Sequence, residues 1–279
     1  MTNSDSIKIQ IRWVLIEKYN WSGSEIIQGK RQYAPNELDD INRLRSGEPV
    51  DYVIGWKEFL GCHIDLSLKP LIPRPETEFL VSRVISELNK ESPLQQGTLP
   101  NGSKIKILDL CCGAGCIGIA LLKHLPNVSV DFVDIDENAL EQTGINLRFL
   151  YRDPPAFDAG GSRIIKSDLF DNLKECKFNY ILCNPPYVNT NDKYDSSLKF
   201  EPRTALFARN KGMYFINKIL KGLNNHLLPN GALYLEFGHG QKDLIEKELK
   251  KLNISKYSFH KDQYKRWRWV VVDRQGLEP

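Results

Sequence analysis

From residue 105 onward, short apolar runs alternate with segments whose apolar residues recur at helical spacing, and no other feature of the chain restricts its fold as much. The runs are Ile105 to Leu110, Val128 to Val133, Ser162 to Ile165, Tyr180 to Cys183 and Ala232 to Leu235. Cys116 to His124, Glu137 to Phe149, Gly212 to Leu227 and Gln241 to Leu252 read as helices. Such alternation predicts an α/β fold, a mainly parallel sheet covered by helices on both faces. Tyr257 to His260 and Trp267 to Asp273 have only a loop between them, which predicts an antiparallel pair at the sheet edge.

Upstream the pattern differs. Trp13 to Ile16 and the stretch from Pro35 toward Leu44 predict a small helical unit. Trp56 to Phe59 and Ile64 to Leu68, separated at Gly61, predict a hairpin. Prolines at 70, 73 and 75 keep the next segment extended until a helix starts near Pro75 or Glu76. That helix should turn Phe79, Leu80, Val81, Val84, Ile85 and Leu88 inward, and Asn89 to Ser103 reads as a surface loop.

Composition narrows the class. With 41% apolar and 26% charged residues in 279, the chain can bury a sizeable core. A formal charge of +3 is too mild to predict nucleic-acid binding by itself. No run approaches the roughly 18 apolar residues of a membrane span, and the first residues lack a continuous apolar signal core. A soluble, cytoplasmic, monomeric protein is expected; Asp5 and Glu17 disfavour an organelle transit peptide. Cys62, Cys111, Cys112, Cys116, Cys176 and Cys183 form no paired zinc-ligand spacing, so reduced, mostly buried thiols and no metal are expected.

Two strand ends carry the chemistry. After the first strand, Cys111-Cys112-Gly113-Ala114-Gly115 with Gly118 matches G-x-G-x-x-G, a turn that lets backbone approach a nucleotide-like ligand. The bland alternative is a tight turn with Gly118 packing its helix on the sheet. Asp134, at the tip of the second strand, is placed to hold ribose hydroxyls, and Asp136 to cap the following helix. Neither separates NAD from S-adenosylmethionine. Asn184-Pro185-Pro186-Tyr187 does, because an amide or aromatic amine nitrogen is a poor nucleophile with a delocalised lone pair. The Asn184 oxygen and the Pro185 carbonyl can accept its two N–H bonds, while Tyr187 lies against the planar group.

This tetrapeptide after a Gly-rich α/β loop resembles S-adenosylmethionine-dependent methyltransferases of planar nitrogens. Leu71-Ile72-Pro73-Arg74-Pro75-Glu76-Thr77-Glu78 and Phe200-Glu201-Pro202-Arg203-Thr204-Ala205-Leu206 are similar to segments of the HemK/PrmC-type release factor glutamine methyltransferases. The resemblance runs from about Gly47 to Arg274. It implies a seven-stranded Rossmann-like class I methyltransferase domain (75–279), preceded by a helical substrate-docking domain (1–50) and a β-hairpin linker (51–74). It further implies that S-adenosyl-L-methionine, leaving as S-adenosyl-L-homocysteine, is held by Cys111 to Gly115, Asp134, Asp168, Leu169 and Asn184. The implied substrate is the Gly-Gly-Gln glutamine of a peptide chain release factor, its amide held by Asn184, Pro185, Pro186 and Tyr187. Two loop cysteines replace the family's usual small residues, Leu169 replaces a frequent aromatic, and the N-terminal unit is short.

A sulfonium leaving group demands no strong base, so His239 and His260 read as surface or packing residues. The rivals are an adenine-amine methyltransferase of RNA or DNA, a non-catalytic cofactor-binding module and, lower, an NAD oxidoreductase. No target-recognition domain supports the first. The basic, aromatic stretch Lys247 to Arg274 reads as a solvated helix face and an edge strand with inward aromatics, so direct nucleic-acid binding is not expected.

Overall fold

The computed structural model describes residues 3–29, 32–90, 104–150, 161–191 and 194–274. Four helices open the chain: α1 (Asn3–Glu17), α2 (Gly23–Gln28), α3 (Pro35–Arg45) and α4 (Val50–Ile54). Val14, Leu44 and Val53 form the common core of α1, α3 and α4. Buried Asp40 accepts the Tyr19 hydroxyl at 2.8 Å and pairs with Lys18 and Arg43, both at 2.7 Å. The Arg43 guanidinium also holds the Glu48 carboxyl down to about 2.

The hairpin forms from β1 (Trp56–Phe59) and β2 (Cys62–Asp65), turning at Leu60 and Gly61, both at positive φ. Its second strand lies earlier than the expected Ile64 to Leu68. Asp65 accepts the Ser67 N–H at 2.9 Å, and that local turn ends the ladder. Helix α5 (Pro75–Leu88) starts where the prolines place it and buries Leu80, Val81, Val84 and Leu88. Phe79 and Ile85 are half-buried against the same core, and Thr77 is buried instead. Of the expected loop, residues 91–103 lie outside the described residues.

The main sheet has seven strands: β3 (Ile105–Leu110), β4 (Val128–Asp134), β5 (Arg163–Lys166), β6 (Phe178–Cys183), β9 (Leu227–Glu236), β10 (Tyr257–Lys261) and β11 (Trp267–Asp273). Their order is β10-β11-β9-β6-β3-β4-β5, with only β11 antiparallel to its neighbours. The short pair β7 (Val188–Asn189) and β8 (Phe207–Ala208) stands apart. Helices α6 (Cys116–His124), α7 (Glu137–Leu150), α8 (Arg203–Leu206), α9 (Tyr214–His226) and α10 (Lys242–Lys251) complete the chain. One apolar core lies on the hairpin, α5 and α6 side of the sheet, and a second on the α9 and α10 side. The strand order reverses between β3 and β6, which opens a crevice at their carboxyl ends.

Sequence periodicity locates every main strand. The largest boundary difference is β9, which begins at Leu227 rather than Ala232. The C-terminal expectation needs correction in one respect: β10 is the edge strand, and only Trp269 of the tryptophan pair is buried. Trp267 is 39% exposed between the ammonium groups of Lys242 and Lys261, and Tyr264 is 58% exposed. Arg268 turns inward instead, because Asp262 and the Phe237 carbonyl satisfy its guanidinium. No helix among the described residues is long and apolar enough to cross a membrane.

Gly118 fixes how closely α6 approaches the sheet. A Cβ there would stand 2.3 Å from the Phe132 ring and 2.8 Å from a Val130 methyl. Gly118→Ala should therefore lower stability by about 1–3 kcal/mol through overpacking. The expected outcome is a lower urea midpoint with an unchanged denaturant slope.

Candidate active site

The turn after β3 passes through Cys111, Gly113 and Gly115 at φ 60°, 55° and 76°. It is held from both sides. The Thr143 hydroxyl donates to the Gly113 carbonyl at 3.0 Å, and the Asn146 amide donates to the Ala114 carbonyl at 2.9 Å. On the other side, Gly113 N–H donates to Asp134 Oδ2 and Gly118 N–H to Asp109 Oδ2, both at 2.9 Å. Burial pushes the Asp109 carboxyl up to about 8, and its Oδ1 has no partner among the described residues. Burial also raises Asp134, against the pull of the Asp136 and Gly113 N–H groups. Asp136 accepts the Asn138 N–H at 2.9 Å and so caps α7.

A cleft opens above this turn. Cys111, Gly113, Asp134, Asp168, Leu169 and Asn184 all line it. Cys111 and Leu169 both hold left-handed backbone, uncommon for residues with a Cβ, on opposite sides of the cleft. Asp168 pairs with Lys218 at 3.0 Å. A Cβ on Gly113 would meet nothing within 4 Å, so the turn leaves open space on that side. Cys112, Ala114 and Gly115 are buried beneath the turn rather than lining the cleft. Burial raises the Cys112, Cys116 and Cys183 thiols well above their ordinary value, and none of the six cysteines is in a disulfide. His239 and His260 lie outside the cleft; His260 stacks on Trp269.

Asn184 to Tyr187 follow β6, with both prolines buried. Pro185 and Tyr187 line a second pocket with Arg74, Leu198 and Leu206. Asn184, Leu71 and Ala205 line both cavities, so the two spaces share a wall that includes Asn184. The Asn184 amide donates to Thr77 Oγ1 at 3.1 Å, and the Thr77 hydroxyl donates to Glu236 Oε2 at 2.7 Å. The Tyr187 hydroxyl donates to Glu236 Oε1 at 3.0 Å. Neither the Asn184 oxygen nor the Pro185 carbonyl receives a hydrogen bond among the described residues.

Sequence reading missed Thr77 and Glu236 as parts of the site. For Arg74 and Glu201 the sequence left a channel-shaping role and an ordinary charge pair equally open; buried Glu201 pairs with Arg74 at 2.6 Å and accepts the Ile72 N–H at 3.0 Å. The two similar segments noted in the sequence thus clamp each other beside the pocket. Gln241 donates to the carbonyls of Tyr187 and Lys211 at 3.0 and 2.9 Å, bracing the far end of the tetrapeptide. Gly212, at φ 80°, lets that carbonyl approach; a Cβ there would lie 2.0 Å from the Tyr187 oxygen.

The strand order, the glycine turn at the switch point and an acid at the tip of the next strand define a Rossmann-like class I methyltransferase fold. Residues 86–257 match the Methyltransferase small domain family. The release factor glutamine methyltransferase of Lactococcus lactis subsp. lactis is 33% identical over 82% of this chain and 79% of its own. That of Buchnera aphidicola subsp. Acyrthosiphon pisum is 34% identical over 86% and 80%. Among solved structures, the hMettl16 catalytic domain in complex with MAT2A 3'UTR hairpin 1 superposes with TM-score 0.56 at 18% identity, covering 85% of this chain and 78% of that one. A methyltransferase from Pyrococcus furiosus gives 0.51 at 20% identity, covering 86% and 99%. At those identities the superpositions show the fold alone. The chain belongs to the release factor glutamine methyltransferase family.

Glu201→Gln would keep an acceptor for Ile72 but discharge the partner of Arg74. A stability loss of about 1–3 kcal/mol is expected from the weakened charge-assisted bond, measured as a shift in the denaturation midpoint.

Proposed function

We propose that this protein transfers a methyl group from S-adenosylmethionine to the side-chain amide nitrogen of the glutamine in the Gly-Gly-Gln motif of peptide chain release factors. The observation that carries the reading is that Asn184 lines both cavities. The cleft over the glycine turn fits a nucleoside-bearing cofactor: the turn offers open space, and Asp134 presents its carboxylate at the tip of β4. Asp168 and Leu169 bound the side assigned to adenine. The second pocket, walled by Leu198, Leu206 and the Pro185 ring, suits the aliphatic stem of a glutamine.

When bound, S-adenosylmethionine supplies an electrophilic methyl on a sulfonium. The chain's own residues orient the nitrogen that receives it. The Asn184 oxygen and the Pro185 carbonyl accept the two amide N–H bonds, which turns the lone pair out of the donor plane toward the cofactor cleft. Buried prolines hold both acceptors still, so little reorganisation accompanies transfer. Tyr187, tied to Glu236, closes the planar face. No side chain is required as a strong base, since the nitrogen sheds its surplus proton after the methyl arrives.

The decisive assay is transfer of labelled methyl to purified release factor, beside its Gly-Gly-Gln→Gly-Gly-Ala variant and a structured RNA. Label on the wild-type factor alone, located on that glutamine by mass spectrometry, is expected; label on RNA would overturn the substrate assignment. Asn184→Ala should cut transfer roughly 10²–10³-fold, the usual loss for a preorganised polar contact at the reacting group, while calorimetry finds cofactor affinity little changed. Asp134→Ala should weaken cofactor binding about 10- to 100-fold, as loss of hydrogen bonds to a charged acceptor implies, and an unchanged dissociation constant would remove the ribose contact.

A further inference from the structure

The hydrogen bonds behind Asn184 have a direction. A carboxamide presents an oxygen on one side and an NH₂ on the other, and only the oxygen can accept a substrate N–H. Its orientation is therefore a functional variable that the tetrapeptide alone does not set. The Thr77 hydroxyl has one proton, which it gives to Glu236 Oε2 at 2.7 Å. Its oxygen is then left to accept, and the group within reach is the Asn184 NH₂ at 3.1 Å. With the NH₂ engaged there, the oxygen is the half of the Asn184 carboxamide left to accept.

We propose that Glu236, acting through Thr77, is the positioning residue that fixes the Asn184 carboxamide with its oxygen toward the substrate nitrogen. The assignment rests on the methyl-transfer reading above and goes beyond it to residues that touch neither substrate nor cofactor. Glu236 is 1% exposed and stands at the carboxyl end of β9, while Thr77 is 2% exposed in the first turn of α5. A carboxylate is needed because both of its oxygens accept at once, Oε2 from Thr77 and Oε1 from Tyr187. A protonated carboxyl, or a glutamine, has one acceptor and one donor side. Donating to Thr77 reverses the chain and turns the Asn184 NH₂ toward the substrate; donating to Tyr187 makes that hydroxyl the acceptor and frees its own proton for another partner.

The surroundings place this change within reach of ordinary pH. Burial pushes the Glu236 carboxyl up to about 7, against the pull of the Thr77 and Tyr187 hydroxyls and of Arg268. Glu76 faces the group from α5, Arg268 from β11, Tyr187 from the tetrapeptide and the Cys116 thiol from α6, while Arg74 acts on the neighbouring Tyr187. Arg268 is itself engaged by Asp262 at 3.1 Å and does not neutralise Glu236 directly. Methyl transfer should fall as pH drops through about 7, since the ionised form is the one that accepts two hydrogen bonds.

The test compares the wild type, Thr77→Val, Thr77→Ser and Glu236→Gln, with release factor as acceptor. Cofactor affinity of each is measured by calorimetry as a check on folding. Thr77→Val and Glu236→Gln are expected to lose kcat about 10- to 100-fold, the size of one charge-assisted hydrogen bond, with the KM for S-adenosylmethionine unchanged. Thr77→Ser, which keeps the hydroxyl, should stay near wild type, and Glu236→Gln should lose the acid limb of the pH profile. Full kcat in Thr77→Val, or equal losses in the Ser and Val variants, would overturn the relay while leaving the reaction in place. Absence of transfer by the wild type would overturn the functional reading and this assignment with it.

Discussion

A buried polar seam along α7 organises the cofactor side of this molecule. Gln142, Thr143 and Asn146 are fully buried, which is costly unless every polar atom is matched. They are matched on two sides, by backbone groups and by the Asp65 carboxylate. Asn146 bonds both to Asp65 of the hairpin and to the Ala114 carbonyl, Gln142 bonds to Asp65 and Leu68, and Thr143 holds Gly113. One helix thus sets the height of the glycine turn and the placement of the hairpin together. Everything that follows the hairpin, including the extended segment at Ile72 to Arg74, inherits its position from that seam.

The second organising principle is charge removed from water. Asp109, Glu201 and Glu236 are all almost fully buried carboxyls, and each is used differently. Asp109 takes the N–H of Gly118 at the start of α6, where a helix N-terminus favours an acceptor. Glu201 is matched by Arg74 and by backbone, so it works as a clamp between chain segments. Glu236 meets only hydroxyls directly, which leaves its carboxyl sensitive to burial. Placing such groups around the cleft gives a site of low dielectric with fixed dipoles.

What the sequence disclosed follows from the range of the interactions involved. Strand and helix positions were legible because burial imposes a period of two or 3.6 on neighbouring residues. Asn184 was legible because two prolines and a strand end are local signals, and Asp134 because it follows the glycine turn at a fixed distance along β4. Thr77 and Glu236 were not. A threonine in a helix's first turn and a glutamate at a strand tip are each unremarkable in their own windows, and their bond spans 159 positions. The same holds for Arg74 with Glu201, 127 positions apart. The inward turn of Arg268 was hidden for a related reason, since only the folded loop brings Asp262 to it.

These long spans give the chain an order of completion. Asn184, Pro185 and the glycine turn are all made before residue 190, yet the clamp on Arg74 waits for Glu201, and the hub beneath Thr77 and Tyr187 waits for the last residue of β9. Contacts of such separation close late, after local helices and hairpins have formed. The glycine turn and the tetrapeptide are thus encoded ahead of the carboxylates that brace them, Glu201 and Glu236, so the site becomes whole only when the last third of the chain has folded onto the rest.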